Sequence, residues 1–464
     1  MTALHFRGKI KLLAKLSFRH LTRDKRRTLL TGSAISLGLA LFIFSDHIQQ
    51  GSYESLIRLG VSTQAGHLVI QPQGYLNEPK PEKRLHQVSE IMRQIQSHLE
   101  QGSSKKNSGL EKSLERTIAS SINFVPRAKL AGLLQSPVGG TRTQLLAIDP
   151  QQEPLVSDWH QRLRPAKRPQ GESGDPLPSK WLGVTDQRGI LLGAKLAERL
   201  DLTIGDKVIF TFNKDKQVES RLFRVRGVLR MSSEDQEANT ALITLQGYNA
   251  ALKTKDQAQQ LTLHLTHLDH VHILQERLKD LFQNSVQLNL GQKVEVLSWQ
   301  EALPALYQFT LKDRQTSLVI FFIMGLMIAI GVLNTVAMSA LERQRYFGVM
   351  MALGLTPRLL AGLLVCEAFI LGVIASLVGL ILGILCSWPI VVYGLDITSM
   401  VGEGMEVGGV VMESVIYGVW HPKGLIQFTL TSIILSVFAS FWPAWRLSRL
   451  SALQAMHGLE TEQV

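Results

Sequence analysis

The chain of 464 residues has only two cysteines and lacks the P-loop, the serine-hydrolase elbow and the zinc-protease motif. Cys366 and Cys386 fall 20 residues apart on one predicted helix, a separation of ~30 Å that excludes a disulfide between them. The patterns G-x-x-x-x-G-K-[ST], G-x-S-x-G and H-E-x-x-H do not occur. We therefore expect a chain that is not an enzyme, does not hydrolyse ATP itself and holds no cofactor or metal of its own.

Acidic residues are scarce at the N-terminus. Lys and Arg number 49 against 38 Asp and Glu, for a net charge of +11. Residues 1–27 carry nine basic side chains and one acid, which is +8 of that total. Residues 342–358 add a further +2, and the rest of the chain is nearly neutral. Excess charge concentrated beside apolar runs indicates membrane topology, so we expect no nucleic-acid partner.

Four long apolar runs follow, each able to span a bilayer, which needs ~20 helical residues. We predict spans at 28–50, 315–341, 359–392 and 424–445. A cleaved signal peptide is the alternative for the first run, disfavoured by the long basic segment and the lack of a small-x-small site before Asp46. Because basic residues favour the cytoplasm, we place both termini (1–27 and 446–464) and the 342–358 loop there. The 51–314 segment and the 393–423 loop then lie outside.

The 51–314 segment alternates strand and helix patterns and predicts an α+β domain of two subdomains. Strands are expected at 66–71, 143–148, 207–212, 222–229 and 260–265, with helices at 87–99 and 271–282 and a flexible linker at 101–109. A short helix is also expected in the segment that begins at Ile190, before a turn at Gly205 and Asp206. Apolar spacing at 299–314 runs into the second span, and the first span can continue to residue 59. Such helices could form a stalk that transmits motion, or could merely anchor the domain.

The sequence LHLTHLDHVH at 263–272 is the strongest candidate for a metal site. Its ligands would be His264, His267, Asp269, His270 and His272, since imidazoles this close can bind zinc or copper. The cluster crosses a predicted strand-to-helix boundary, so we favour solvated loop histidines and expect no metal site.

Placing a polar side chain inside the membrane costs free energy, so polar residues within the apolar spans are candidates for a function. Asn334 is expected to bond to a neighbouring helix, and Glu367 to lie at the interface or pair with a base. Gly379 and Gly383 form G-x-x-x-G on the third span, with Gly372 two turns earlier. That face permits close helix contact, within the subunit or across a dimer.

The loop LERQRYFGVMMALGLTPR at 341–358 predicts a short basic amphipathic helix. Its apolar face would comprise Phe347, Met350, Met351 and Leu353, and Gly354 and Pro357 would end it. Such a helix can dock in a partner's groove or lie on the membrane surface.

The chain resembles the FtsX-like permeases of ABC transporters, which include macrolide-exporter and lipoprotein-releasing permeases, with the latter branch the more similar. Their pattern is an Asn before a helix E-R-x-x-E-[IF]-G-x-[LM]-x-A-L-G, followed by a Glu and spaced glycines. This sequence supplies matching residues, with Tyr346 in place of the second acid: Asn334, Glu342, Arg343, Phe347, Gly348, Met350, Ala352, Leu353, Gly354, Glu367, Gly372, Gly379 and Gly383. Shorter matches occur at 26–31, 149–153, 190–208 and 442–446.

The resemblance implies an α-helical protein of the bacterial inner membrane with four transmembrane helices and a periplasmic domain. It would pair with a second permease, identical or homologous, and with ATPase subunits that hold ATP and Mg. By the same resemblance, the loop at 342–358 would form the coupling helix, which transmits motion of the ATPase to the permease. The ATPase would contact it through Glu342, Arg343, Arg345, Phe347, Gly348, Met350, Leu353 and Gly354.

The expected function is extraction of a lipoprotein or another hydrophobic substrate at the outer face of the membrane. Alternatives are macrolide or peptide efflux through an outer-membrane duct, and mechanical activation of a periplasmic enzyme. An open apolar cavity between the stalk helices would favour transport, and a closed seam would favour mechanical signalling. Only residues 213–217 separate two strands where carrier-docking relatives have a long loop, which argues against direct docking of a periplasmic carrier, although an adaptor remains an option.

Overall fold

A computed structural model describes residues 17, 19, 25–101, 122–165, 177–214, 217–231, 234–265, 271–284, 293–401, 406–407, 410–411 and 415–449. Within these ranges the helices are α1 (Lys25–Gly60), α2 (Val88–Gln101), α3 (Ala194–Arg199), α4 (Glu234–Asn239), α5 (Leu245–Leu252), α6 (Val271–Asn284), α7 (Trp299–Ala302), α8 (Pro304–Glu342), α9 (Gln344–Ala352), α10 (Pro357–Tyr393), α11 (Thr398–Val401) and α12 (Pro422–Ser448). A π-helical turn, Val61–Ala65, follows α1, and 3₁₀ turns lie at Glu153–Leu155 and Trp159–Arg162.

The strands are β1 (Leu68–Pro72), β2 (Ile122–Gln135), β3 (Gly140–Ile148), β4 (Leu163–Arg164), β5 (Gly189–Gly193), β6 (Lys207–Lys214), β7 (Gln217–Leu229), β8 (Thr240–Thr244), β9 (Gln260–Leu265), β10 (Val294–Ser298), β11 (Leu395–Asp396), β12 (Glu406–Val407), β13 (Val410–Val411) and β14 (Val415–Ile416). The chain divides into two compact units. The helical unit comprises residues 1–54, 311–396 and 415–464, and the α+β unit comprises residues 55–310 and 397–414.

The helical unit contains four helices long and apolar enough to cross a membrane, α1, α8, α10 and α12. All four contribute to its core, which is built from Ile35, Val332, Val336, Ala368, Ala375 and Ala439. Many large apolar side chains on the outer faces stay exposed, as is typical of helices solvated by lipid. Both α1 and α8 extend beyond the predicted spans, since α1 continues to Gly60 and α8 begins at Pro304.

The α+β unit contains a four-stranded antiparallel sheet in the order β10-β1-β9-β2. Helices α2 and α6 contribute to the core on this sheet, which includes Leu68, Ile70, Ile91, Ile95, Leu263, Leu274 and Leu278. The arrangement is a β-α-β-β-α-β unit in which a second subdomain is inserted between β2 and β9. We call this part the sheet subdomain.

The inserted subdomain is a closed barrel of six strands. Each strand pairs with the next in the order β2-β3-β8-β5-β7-β6, and β6 pairs back to β2. Apolar side chains from the strands and from α3 and α5 fill its core, among them Leu134, Leu145, Ile190, Phe210, Phe223 and Tyr248. The long strand β2 belongs to both subdomains, so the two parts predicted for this segment share one continuous strand.

The structure has a strand at each of the five predicted positions, and helices at the predicted 87–99 and 271–282. The long strand β2 was not predicted, because Pro126 interrupts its pattern. Pro126 lies where β2 pairs only with β9 at the sheet edge, a position that tolerates proline. The helical spacing expected at 299–314 does run into the second span, since α8 is continuous from Pro304, but a break at Leu303 separates it from α7. The proposed linker at 101–109 lies almost wholly outside the described residues.

Candidate functional site

Helix α9 forms the predicted short helix in the loop between the second and third apolar helices. It follows α8 after a break at Arg343 and ends where Gly354 has a φ of +98°. The Gly354 amide donates to the Met351 carbonyl (3.0 Å) and the Leu355 amide to the Met350 carbonyl (3.1 Å). These two bonds make a Schellman ending, in which glycine is favoured because its φ is positive. Gly354 is thus the helix terminator, and Pro357 begins α10 instead.

The inner face of α9 packs on the helical unit. Phe347 is 0% exposed and lies in a cluster formed with α10 and α12: Leu360, Leu363, Leu364, Ala444 and Leu447. Gln344 and Gly348 are also buried, and Met350 and Met351 are partly buried against the same cluster. This contact fixes α9 to the ends of two apolar helices.

The outer face of α9 carries apolar side chains exposed to solvent. Tyr346, Val349 and Leu353 are 50%, 51% and 78% exposed, at helical spacings of three and four residues. Arg345 is exposed next to them, as is Glu342 at the end of α8. The expectation that Phe347, Met350, Met351 and Leu353 share one apolar face was wrong, because only Leu353 of the four points outward. Apolar residues occur all round α9, so the spacing alone could not choose between its two faces.

An ion pair joins the start of α9 to the third apolar helix. The Nη1 atom of Arg343 lies 3.5 Å from the Oε2 atom of Glu367, and each side chain is about 15% exposed. The expected pairing of Glu367 with a base is therefore present. It ties the α8–α9 break to α10, so a displacement of α9 would act directly on that helix.

The three candidate packing glycines face helices of the same chain. A Cβ added to Gly379 would lie 2.8 Å from the Ser36 carbonyl oxygen of α1, and one added to Gly383 would lie 2.9 Å from Ile43. Gly372 instead faces Ser436 of α12, at 2.9 Å. The glycines allow α10 to approach two neighbours at once.

Asn334 was expected to bond to a neighbouring helix, but the structure leaves it exposed. It is exposed on α8, in a row with Met327, Ile330 and Met338. An amide exposed to hydrocarbon is costly, so this face of α8 is suited to a protein or a polar group rather than to lipid tails.

Helices α1 and α8 pack side by side within each unit. In the helical unit, the Asp313 carboxylate accepts from the Tyr53 hydroxyl (2.5 Å) and the Gln49 amide (3.0 Å). In the α+β unit, Leu56 and Leu59 of α1 share a cluster with Leu306 of α8. Contacts between α1 and α8 are thus present in each unit.

Sequence reasoning missed a buried polar group where α1 approaches α12. The Oδ2 atom of Asp46 lies 2.9 Å from Nδ1 of His421, and neighbouring His47 is buried against Trp420. The sequence signal was available, since Asp46 and His47 come directly after the apolar run of α1.

The candidate histidine cluster is divided by the fold. His264 is buried on β9 beside His67, contrary to the expected solvated loop, and burial lowers its pKa to about 2. His272 is exposed on α6, and His267, Asp269 and His270 lie outside the described residues. Among the residues that the structure describes, no three His, Cys, Asp or Glu side chains are grouped to hold a metal ion.

Residues 318–452 match the family model described as FtsX-like permease C-terminal. The chain is 24% identical over 323 residues to the lipoprotein-releasing system transmembrane protein LolC of Xylella fastidiosa strain 9a5c, covering 67% of this chain and 71% of that one. It is 23% identical over 274 residues to the macrolide export ATP-binding/permease protein MacB of Nitrobacter winogradskyi, covering 58% and 38% respectively.

Among solved structures, the periplasmic region of MacB from Actinobacillus actinomycetemcomitans covers 52% of this chain and 91% of its own length at 15% identity. Its TM-score of 0.31 is too low to establish a shared fold. The matched 318–452 segment contains α9, the Arg343–Glu367 pair and the packing glycines. Residues 318–452 are thus an FtsX-like permease C-terminal domain, and over a longer stretch the chain is similar to LolC and MacB.

Proposed function

We propose that this chain is the permease subunit of an ATP-driven transporter that extracts a lipoprotein, or a similar lipid-bearing molecule, at the outer face of the bacterial inner membrane. Hydrolysis takes place on separate ATPase subunits that hold ATP and Mg, and a second permease completes the membrane part. The lipoprotein substrate is supported by the similarity to a lipoprotein-releasing permease. Both termini are cytoplasmic in this arrangement, and the α+β unit is periplasmic.

The observation that carries the proposal is the outward face of α9. An exposed row of Tyr346, Val349 and Leu353 on a helix otherwise fixed by Phe347 suits a groove on a partner protein. A helix adapted to the membrane surface would instead insert its apolar face into lipid and carry many basic residues beside that face. We infer that the ATPase contacts these three side chains and Arg345, and that Phe347 and Gly348 act from beneath by holding α9 in place.

The test is co-purification with the cognate ATPase, and ATP hydrolysis by the complex, for the variants Val349→Asp and Leu353→Asp. Both positions are exposed, so we expect normal folding, at least a tenfold loss of ATPase association and loss of stimulated hydrolysis. Val218→Asp is the matched control, because Val218 is 73% exposed on β7. Gly348→Asp is unsuitable because it would bury a carboxylate. Normal association of both α9 variants would refute the assignment.

The exposed face of α8 supports the transport step. Its side chains include Phe322, Met327, Ile330 and Met338, all more than half exposed. In a pair of permeases, two such faces with Asn334 among them would line an apolar path that opens to the outer leaflet. A photoreactive residue placed at position 327 tests this path. We expect it to crosslink to cargo during ATP turnover, and crosslinks to lipid alone would contradict the proposal.

Mechanical signalling is the second candidate, favoured by the polar contacts between α1 and α8 in the helical unit. There the Asp313 carboxylate of α8 accepts hydrogen bonds from Tyr53 and Gln49 of α1. The two functions differ in their product: a transporter releases cargo from proteoliposomes on ATP addition, whereas a mechanotransmitter hydrolyses ATP with no cargo released.

A further inference from the structure

The α+β unit contains an open cleft of about 1120 Å³ that no function discussed so far uses. Its floor is the outer surface of the barrel, where Ala131 of β2 is paired with Gln144 of β3. One wall is the segment 75–83, which follows β1 and contains Pro79 and Pro81. The cleft exceeds the ~300–1,000 Å³ of typical small-molecule sites, so its size favours a segment of a larger molecule.

The lining is rich in side-chain amides, which both donate and accept hydrogen bonds and so match an extended peptide backbone. They are contributed by Gln64, Gln144, Asn213, Gln259 and Gln260. The side-chain Oε1 atom of Gln259 already accepts from the Tyr75 hydroxyl (3.0 Å) and from the backbone amide of Lys129 (2.6 Å). This side chain is therefore held in position in the lining of the cleft.

The cleft also carries an excess of positive charge. Its lining has three lysines and two glutamates, and Lys80 and Lys83 both pair with Glu78. Lys129, recessed on the floor, has no carboxylate partner among the described residues, and burial lowers its pKa. A recessed ammonium group without a counter-charge favours a ligand that brings a carboxylate.

We propose that this Lys129 cleft binds an extended acidic peptide segment, with a carboxylate on the Lys129 ammonium group and the backbone on the amides. An acidic side chain suits the charge, amides suit the backbone, and the prolines and Leu76 supply apolar contact. The open, amide-lined shape is poorly suited to an acyl chain, which is favoured by an enclosed apolar cavity.

The cleft lies beside the junctions that follow α1 and precede α8. Gln64 and Ala65 lie in the π-helical turn after α1, and Ala302 and Leu303 lie at the break before α8. A bound peptide would contact both junctions at once. Stimulation of ATP hydrolysis by the peptide is the expected result, and this step alone rests on the proposed function.

The test is fluorescence anisotropy with the full-length chain and its ATPase in neutral detergent. The probes are a labelled eight-residue peptide of alternating aspartate and valine, and the same peptide with asparagine for aspartate. We expect the aspartate peptide to bind at least tenfold more tightly, and Lys129→Met to remove that preference, because hydrogen bonds to charged groups are the stronger ones. Lys207→Met, on exposed β6 outside the lining, is the matched control and should bind normally.

A second variant keeps the proposal falsifiable if Lys129→Met folds poorly. Ala131→Trp fills the cleft from its exposed floor and should abolish binding of both peptides without changing thermal unfolding. Equal binding of the two peptides, or unchanged binding by Ala131→Trp, would overturn the proposal. Binding only of soluble short-chain phosphatidylglycerol, without the peptide, would assign the cleft to lipid instead. Failure of peptide binding in a complex that still releases lipoprotein would refute the cleft and leave the transport function intact.

Discussion

The buried ion pair Arg127–Glu153 makes a quantitative prediction for the α+β unit. Arg127 is 2% exposed and Glu153 0%. The Arg127 guanidinium donates from Nη2 to Glu153 Oε1 (2.6 Å) and from Nε to Oε2 (3.1 Å). The same Nη2 also donates to the Ser62 carbonyl (2.7 Å), and the group lies 5.6 Å from the Trp159 ring. One buried charge thus joins β2, a 3₁₀ turn and the turn that follows α1.

Glu153→Gln removes the negative charge and leaves Arg127 buried without its counter-ion. Breaking a pair of this kind costs ~3–5 kcal/mol. Where amide protons exchange through cooperative opening of the strands, that cost accelerates hydrogen exchange by roughly 150- to 5,000-fold. We expect this acceleration in peptides covering β2 and Val61–Ala65, measured by mass spectrometry on the full-length protein in detergent.

Two comparisons give this prediction its specificity. The double variant Arg127→Met with Glu153→Leu removes both charges, and should recover most of the lost protection because apolar replacements of similar size relieve the desolvation cost. Asp158→Asn removes a partner of Arg162 in an exposed pair at 2.6 Å, which is worth at most ~1 kcal/mol. A change below about threefold for Glu153→Gln, or equal effects of Glu153→Gln and Asp158→Asn, would refute the role given to burial.

Three further predictions concern the helical unit. Gly379→Ala should destabilise the protein by ~1–3 kcal/mol, because its Cβ would lie 2.8 Å from a carbonyl oxygen, whereas Gly362→Ala, with open space around it, should stabilise slightly in thermal unfolding. Arg343→Glu or Glu367→Arg alone should uncouple ATP hydrolysis from cargo release, and the exchanged pair should restore it; failure of the exchange would mean that charge pairing is not the cause. Gly354→Val should cost ~1–3 kcal/mol through its φ of +98°, seen as faster hydrogen exchange in the last turn of α9, and unchanged exchange would contradict the Schellman ending.

The elements predicted best from the sequence are those set by local pattern. Four apolar runs predict four helices because a bilayer demands continuous apolar length, and all four are present. Gly354 was recognisable as a terminator because its role depends on a few neighbouring residues. The Arg343–Glu367 contact could also be anticipated, because a glutamate within an apolar span close to a basic segment is expected to pair with one of its arginines.

The barrel and its polar contacts could not be predicted from the sequence, because they depend on pairings between residues that are far apart along the chain. Strand β2 bonds to β9, β3 and β6, which lie from a few to more than a hundred residues away. Arg127 and Glu153 each look like ordinary surface charges in the sequence, and only the folded chain buries them together. The orientation of α9 was missed for a different reason, namely that its apolar residues are compatible with either face.

The junctions at the ends of α1 and α8 favour transmission of motion over simple anchoring. Beyond α1, the Ser62 carbonyl is held by buried Arg127. Before α8, Ser298 and Glu301 form a reciprocal capping box on α7, with Glu301 also accepting from Gln275 of α6 (2.7 Å). A domain that is merely tethered needs no such contacts, because a flexible linker would keep it in place at no desolvation cost. Buried and reciprocal bonds at both junctions instead hold the turn after α1 and helix α7 firmly within the sheet subdomain.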